Sequence, residues 1–387
     1  MDYLPKLCVS FKREFSEPII NIDVGNDLYK TKLKIDKYKN DWNYYRSVIN
    51  EYELIGNSKM LQIPKIRPIC RSYFKIWEIN EIYNIIPKCK EPIVTTTLCE
   101  APGSFCQAII HYRKSILTVD DLKKDIINGI SLKEGTNYHT KWKNFPEKEL
   151  IKFNNYFGDP DNINHNGDIT NPEIIKSFIK QIGRNSILVT ADGGLEISTK
   201  DENYKEQIHF SLFFNEILIA LSIQKSGGDF ILKIYDILTL PTLQLIYLLT
   251  LLYEKVEIIK PQTTRQTNSE KYVICKNFKN ISTKYLNELH NISKKMWNMT
   301  GSYIRSIFEN NYIDKNFKKY IENINISQIP HQINKIEEAL SLLENSITDV
   351  DLNYYHKKLK IYNELQVRCA LTWAKRYNMP YFITELQ

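Results

Sequence analysis

Lys233 interrupts the apolar run of residues 230–235, and a lysine in such surroundings is rarely buried without a partner or a task. Near a strand end it is equally able to reach solvent along its own aliphatic stem. Asp192 closes a second apolar run, residues 186–191, and precedes Gly193 and Gly194. A carboxylate there suits the orientation of a hydroxyl or a neighbouring lysine, although read alone Asp-Gly-Gly is an ordinary turn. Glu270 follows the polar stretch 260–269, whose Arg265 and Asn268 offer hydrogen bonds to a phosphate or a ribose. By itself that stretch is a hairpin connection. What these residue types could do together is orient a substrate and a neighbouring lysine through charge-assisted hydrogen bonds.

A fourth segment, Thr-Leu-Cys-Glu-Ala-Pro-Gly-Ser-Phe-Cys-Gln at 97–107, passes from a strand into a helix. Such a joint puts helix N-terminal amides beside the carboxyl edge of a sheet, where open α/β sheets bind nucleotides. Gly103 would let the backbone approach a ligand closely, and Pro102 would stiffen the turn. A glycine at a strand-helix joint is also ordinary turn chemistry. The missing Gly-x-Gly-x-x-Gly spacing argues against a dinucleotide-dependent oxidoreductase. Seven cysteines without a CxxC pair and seven histidines without ligand spacing indicate neither a disulfide framework nor a metal site.

These residues need a sheet to bring them together. Short β-rich runs alternate with helical stretches through the middle of the chain, the pattern of a doubly wound α/β sheet. Strands are expected at residues 93–98, 116–119, 187–190, 230–235, 256–259 and 272–276, with helices at 204–224 and 242–253. The last two strands are too close in sequence for a helical crossover and should pair antiparallel. All 13 glycines lie at or before Gly301, so the tail should be helical. Ile333, Ile336, Leu340, Leu343 and Ile347 recur at helical spacing, as in a helix packed against its own domain. A further helix is expected near 41–54. The chain thus reads as an N-terminal extension (1–60), a sheet-based domain (61–280) and a helical C-terminal extension (281–387).

With 387 residues, 43% apolar and 25% charged, the chain can bury a full core. Its longest apolar stretch, 237–253, is broken by Pro241 and Gln244 and falls short of the roughly 20 residues that a bilayer requires. The first residues lack the basic start and long apolar run of a secretory signal, so an intracellular location is expected. The net charge of +7 is mild, but Lys65, Arg67, Arg71 and Lys75 are interleaved with Tyr73, Phe74 and Trp77, and a second basic excess lies within 284–320. Basic residues mixed with aromatics suit a phosphate backbone and stacked bases, and equally a solvated face over a core stripe.

In order along the chain stand Cys-Arg-Ser-Tyr-Phe-Lys-Ile-Trp-Glu-Ile (70–79), Cys-Glu-Ala-Pro-Gly-Ser-Phe (99–105), Asn-Gly-Asp-Ile-Thr (166–170) and Thr-Ala-Asp-Gly-Gly (190–194). Gly-Gly-Asp-Phe-Ile-Leu-Lys-Ile-Tyr-Asp (227–236) and Lys-Pro-Gln-Thr-Thr-Arg-Gln-Thr-Asn-Ser-Glu-Lys-Tyr (260–272) follow. Together these motifs resemble the FtsJ-like (RrmJ-type) ribose 2'-O-methyltransferases, over about residues 71–278. The wording is most similar to the cap-specific messenger RNA enzymes of eukaryotes and large DNA viruses. Bacterial ribosomal RNA members read more like Ser-Asp-Met-Ala-Pro where this chain has Thr-Ala-Asp-Gly-Gly.

The resemblance implies a Rossmann-like, mostly parallel α/β sheet whose last strand is antiparallel. It implies a Lys-Asp-Lys-Glu tetrad at Lys75, Asp192, Lys233 and Glu270, and S-adenosyl-L-methionine as cofactor without a metal. The cofactor is expected over Glu100, Ala101, Pro102, Gly103, Ser104 and Phe105, with Asp168 receiving the adenine amino group. Asp120, or equally Asp121, is expected at the ribose hydroxyls, and Asp192 at the reacting end. Ser104 departs from the family, which more often has a second glycine there. By resemblance Lys233 is the general base. Since a lysine ordinarily titrates near 10.4, Lys75 is the expected neighbouring cation that lowers it, while Asp192 and Glu270 orient the lysines. RNA, at the capped 5' end of a messenger, is the implied partner, with no membrane; a capping enzyme or polymerase is a candidate partner for the helical tail. Ribosomal or transfer RNA is the alternative substrate, and a catalytically silent RNA-binding scaffold the alternative class. An N7-methylated guanine would need an aromatic sandwich, and 25 tyrosines with five tryptophans leave its identity open.

Overall fold

The computed structural model describes residues 4–57, 61–62, 68–133, 142, 145–197, 199–299, 301–347, 352–380 and 382–383. Seven strands make the central sheet: β1 (Val94–Leu98), β2 (Ile126–Ile130), β3 (Lys152–Tyr156), β4 (Ser186–Ala191), β5 (Gln224–Ile234), β6 (Tyr253–Ile259) and β7 (Lys271–Phe278). Their order is β3-β2-β1-β4-β5-β7-β6. β1 to β5 pair in parallel, and β7 runs antiparallel to both of its neighbours. The chain therefore builds outward on one side of β1 and then on the other. The carboxyl ends of β1 and β4 flank the switch point at which such sheets bind ligands.

Successive strand residues face opposite layers. Phe230, Leu232 and Val273 join the core beneath α5 (Pro172–Ile182), α6 (Phe210–Ile223), α7 (Leu240–Leu252) and α8 (Thr283–Asn298). Ile231, Tyr272 and Ile274 join the core beneath α3 (Ser72–Tyr83) and α4 (Ser104–Lys114) on the other face. α6 is apolar around most of its circumference because nearly all of it is buried. Among the described residues no helix is long and apolar enough to cross a membrane.

The strand expected at 116–119 is not formed. Thr118 instead accepts the Asp121 N–H and caps a short helix, Val119–Leu122, and the second strand begins at Ile126. Asn128 and Gly129 hid that strand, since both are poor strand formers. Gly129 is required because a Cβ there would meet Trp142 Cζ2 at 2.7 Å. β3 was hidden by its polar sequence, Lys-Phe-Asn-Asn-Tyr, at the sheet's edge.

The two ends of the chain pack together. Leu7–Lys12 forms an antiparallel ribbon with Tyr303–Phe308, a strand not expected in the tail. α1 (Ile22–Lys34) and α2 (Lys39–Val48) lie against the long helix α9 (Lys315–Ile347). The stripe of Ile336, Leu340 and Leu343 is buried there, against Leu28, Tyr45 and Ile49. α10 (Leu352–Arg376) brings Trp373 and Ala374 into the core of α3 and α4.

Below the sheet, Arg113 is 1% exposed and spends its donors on Asp125, at 2.7 and 3.1 Å, and on the carbonyls of Pro87, Cys89 and Glu91. Asp125 also accepts the Ile93 N–H, so one carboxylate aligns the starts of β1 and β2. Removing it strands a buried guanidinium. Asp125→Ala should lower the unfolding free energy by about 3–5 kcal/mol in denaturant titration; a loss below about 1 kcal/mol would show that the pair does not hold this edge.

Candidate active site

Strand register brings the four tetrad positions together. Parallel pairing sets Ala191 beside Leu232, so the next residues, Asp192 and Lys233, are neighbours at the carboxyl edge. Antiparallel pairing sets Lys233 beside Tyr272, which delivers Glu270, just before β7, to the same place. Lys75 reaches in from α3. Lys233 Nζ donates to the Asp192 carbonyl at 2.6 Å and lies 3.2 Å from its Oδ1. Lys75 Nζ donates to Glu270 Oε1 at 2.6 Å. The Tyr272 hydroxyl lies between the two pairs, 2.8 Å from Asp192 Oδ1 and 3.2 Å from Glu270 Oε1.

The electrostatics are those of buried charges that neutralise each other. Burial favours an uncharged Lys233, but the Asp192 carboxylate, then Tyr235 and Glu270, outweigh it and hold the ammonium above the ordinary lysine range. The expected lowering by Lys75 is therefore not found, because two carboxylates stand closer to the balance than the second cation does. Burial likewise pushes Glu270 up, and Lys75 and Lys233 reverse this and draw it down to about 2. Buried Glu100, beside Asp192, is held well above the carboxylate range by burial first and by that like charge second.

A cavity of about 280 Å³ opens beside the tetrad at the switch point, lined by Ala101, Ser131, Leu132, Asp168, Asp192, Leu212 and Lys233 among others. The carboxylates of Asp168, Asp192 and Glu196, the hydroxyls of Ser131 and Thr170 and apolar walls suit a nucleoside with an amino group, and this set fits the expected S-adenosyl-L-methionine. Ala101, Asp168 and Asp192, three of the residues expected at the cofactor, line this cavity. Asp168 Oδ1 accepts from Thr170 N at 2.9 Å and Thr170 Oγ1 at 2.7 Å, which holds its turn against the cavity.

The other residues expected at the cofactor stand outside this lining. Glu100 lies behind the wall, where Thr190 Oγ1 donates to it at 3.2 Å. Pro102, Gly103, Ser104 and Phe105 do not line the cavity. Gly103, at φ 108°, turns the chain into α4 where a Cβ would press on Phe145. Ser104 accepts the Cys70 N–H at 3.0 Å, which accounts for a serine at this position. Phe105 is fully buried and packs on Tyr272. Asp120 precedes β2 and so sits at the amino edge, opposite the cavity, with its side chain 90% exposed. Asp121 shares that edge and bonds Thr118. Ser131 and Leu132, immediately after β2, occupy the position that Asp120 was expected to fill.

A second cavity, about 270 Å³, is lined by residues from the N-terminal helices and from the connection before Glu270, including Trp42, Arg46, Lys205, Asn268 and Ser269. Lys32 joins the two, 3.0 Å from Asp236 Oδ2 and 3.3 Å from Ser269 Oγ. Lys205 Nζ lies 4.6 Å from the Tyr235 ring centre, close to Lys233. Arg46 Nε is buried with no hydrogen-bond partner among the described residues. Neither this cavity nor Tyr272 was read from the sequence: both depend on register and on contacts between distant segments. Among the described residues no cluster of His, Cys, Asp and Glu is arranged to hold a metal ion.

A family model described as FtsJ-like methyltransferase matches residues 68–278, more than half of the chain. An uncharacterized protein of Acanthamoeba polyphaga mimivirus is 29% identical over 347 residues, covering 88% of this chain and 40% of its own length. Cap-specific mRNA (nucleoside-2'-O-)-methyltransferase 1 of Danio rerio is 34% identical over 187 residues, covering 47% of this chain and 21% of its own. The protein of the same name from Dictyostelium discoideum is 27% identical over 390 residues, covering 92% and 47%. The chain spans less than half the length of these curated relatives.

Glu216 on α6 is a further buried group that sequence patterning did not single out. Its Oε1 accepts the Gly193 N–H at 3.1 Å, beneath the Asp192 turn, and a Cβ on Gly193 would collide with it. Burial pushes the carboxyl up to about 8 from an ordinary 4.5, against the pull of Lys233 and the Gly193 N–H. The folded chain therefore keeps a proton that the unfolded chain releases near 4.5. The stability this contributes is full below that value and is lost as pH rises through about 8. Wild-type protein should lose thermal stability relative to Glu216→Gln between roughly pH 5 and 9. A melting-temperature gap that stays constant over that range would remove the assignment.

Proposed function

The chain belongs to the FtsJ-like methyltransferase family, and from that premise we propose that it transfers a methyl group from S-adenosyl-L-methionine to a ribose 2'-hydroxyl at the capped 5' end of a messenger RNA. The observation that carries this reading is the convergence of Lys75–Glu270 and Lys233–Asp192, joined by Tyr272, on the rim of one cavity. When bound, the cofactor supplies an electrophilic methyl group on a sulfonium. The rest is positioning and proton control by the protein.

A ribose hydroxyl at this rim meets two ammonium donors held in place by carboxylates. Lys75, fixed by Glu270, orients the sugar oxygen. Lys233 accepts the hydroxyl proton at Nζ. It becomes a base only as the balance around it shifts: positive charge entering the neighbouring cavity and loss of water from the rim both favour the neutral amine. Asp192 and Tyr272 keep Nζ aimed throughout. Asp168, on the cavity wall, would accept from the adenine amino group. Residues 61–280 form the transferring domain in this reading, and the segments on either side build its substrate face.

The cap assignment rests on the second cavity. Trp42 lines this cavity and would stack on a cationic base, and Arg46, whose Nε has no hydrogen-bond partner among the described residues, suits a phosphate bridge. Both lie beside Asn268 and Ser269, next to Glu270. The relatives named as cap-specific enzymes favour the same substrate.

Short capped and uncapped RNAs, labelled methyl donor and nuclease mapping test the assignment. Capped RNA should carry the label on a cap-proximal ribose, and equal labelling of uncapped RNA would defeat the cap assignment. Lys233→Ala should slow transfer by at least about 10²-fold while calorimetry finds cofactor affinity retained; near-normal turnover would reject Lys233 as the base. Arg46→Ala should raise KM for capped RNA about tenfold, the loss of one charge-assisted hydrogen bond of roughly 1.5 kcal/mol. An unchanged KM would move the cap elsewhere.

A further inference from the structure

Glu78 is a carboxylate that methyl transfer does not use, yet it is 1% exposed and fully engaged. It accepts the Gln262 N–H at 2.7 Å, the Thr263 N–H at 3.2 Å, the Thr263 hydroxyl at 3.1 Å and the Trp373 indole N–H at 2.9 Å. Glu78 stands three residues after Lys75 on α3, so the two side chains share a helix face. That face therefore grips the connection between β6 and β7 at two points. Glu78 holds its beginning, at Gln262 and Thr263, and Lys75 holds its end, at Glu270. Arg71, one turn earlier, adds a bond from Nη2 to the Thr263 carbonyl at 2.9 Å. Trp373 comes from α10, and the same helix end receives the Trp77 indole N–H at the Tyr377 carbonyl, 2.8 Å away.

We propose that Glu78 and Trp373 are positioning residues that set the Lys75–Glu270 contact, which makes the C-terminal helix α10 a working part of the methyl-transfer site. The inference rests on the proposed function for its catalytic consequence, and on geometry alone for the contact itself. A buried carboxylate that has lost one donor rebinds or tilts, and the helix face carrying Lys75 moves with it. A displacement of about 1 Å at a reacting group is enough to cost on the order of 10²-fold in rate.

Trp373→Phe keeps a ring in the core and deletes only the N–H, and Glu78→Gln keeps the shape and replaces an acceptor with a donor. The full chain carrying each variant would be treated with an amine-acylating reagent, and labelling of individual lysines followed by peptide mass spectrometry. Lys335 is the internal control, since its side chain is 14% exposed and paired with Glu51 and Glu338, outside this connection, much as Lys75 is 13% exposed and paired with Glu270. The expected result is Lys75 labelling about tenfold faster with Lys335 unchanged, together with a kcat about tenfold lower and unaltered S-adenosylhomocysteine affinity. Lys75 labelled at the wild-type rate overturns the proposal. So does a joint rise in Lys75 and Lys335, which marks general loosening, or faster Lys75 labelling with normal kcat. A wild-type chain that transfers no methyl group defeats the functional reading instead, and the labelling comparison still decides the positioning claim.

Discussion

Lys75, Asp192, Lys233 and Glu270 are charged groups held nearly out of water at one sheet edge, and the site exists only because their charges cancel there. An isolated buried ion would change its protonation state before it stayed charged. Here each ammonium has a carboxylate within 3.2 Å, and Tyr272 supplies a hydroxyl between the carboxylates. Removing any one member leaves an uncompensated charge, so the four positions and the tyrosine act as one electrostatic unit. The register of three strands makes that unit possible: a shift by one residue in β7 would turn Tyr272 to the opposite face.

Cancellation has a consequence for reactivity. A lysine stabilised by two carboxylates is a good donor and a poor base, which is the state of Lys233 in the free chain. In the proposed reaction a cationic ligand and a dry substrate interface would have to change that balance, which would tie base strength to occupancy of the site. The arrangement protects against idle proton chemistry. It also explains why a lone cationic neighbour, the device expected from sequence, is insufficient by itself: Lys75 is already committed to Glu270 at 2.6 Å.

Asp192 and Lys233 were legible in the sequence because each closes or interrupts an apolar run and because strand ends in a doubly wound sheet share one edge, Glu270 because it ends a polar connection, and Lys75 only through the motifs that carry the family resemblance. Asp168 was singled out only through the Asn-Gly-Asp-Ile-Thr motif of the family resemblance, and its turn lines the cavity. Asp120 was misplaced because Ile116–Val119 looks like a strand locally, whereas the Thr118 cap and the tight fit of Gly129 under Trp142 start the strand later. No local pattern separates those outcomes. The loop residues Pro102 to Phe105 were correctly read as a strand-to-helix joint but not as wall rather than lining, since burial depends on Tyr272, Cys70 and Phe145, all distant in sequence. Tyr272, Glu216 and Glu78 were invisible for the same reason: an ordinary strand or helix residue acquires its role only from what packs against it.

The segments outside the family match are joined to the site by hydrogen bonds as well as by apolar packing. Lys32 ties Asp236, after β5, to Ser269, before Glu270, and Trp373 ties α3 to the start of the same connection. The stretch 260–270 is irregular, with a sheet on one side and little regular backbone bonding of its own, so its shape must be imposed from outside. A polar N-terminal helix and an aromatic C-terminal helix impose it from opposite ends. Glu270 is thereby placed by three parts of the chain, and the tetrad carboxylate that follows a long irregular connection is supported from both ends of it.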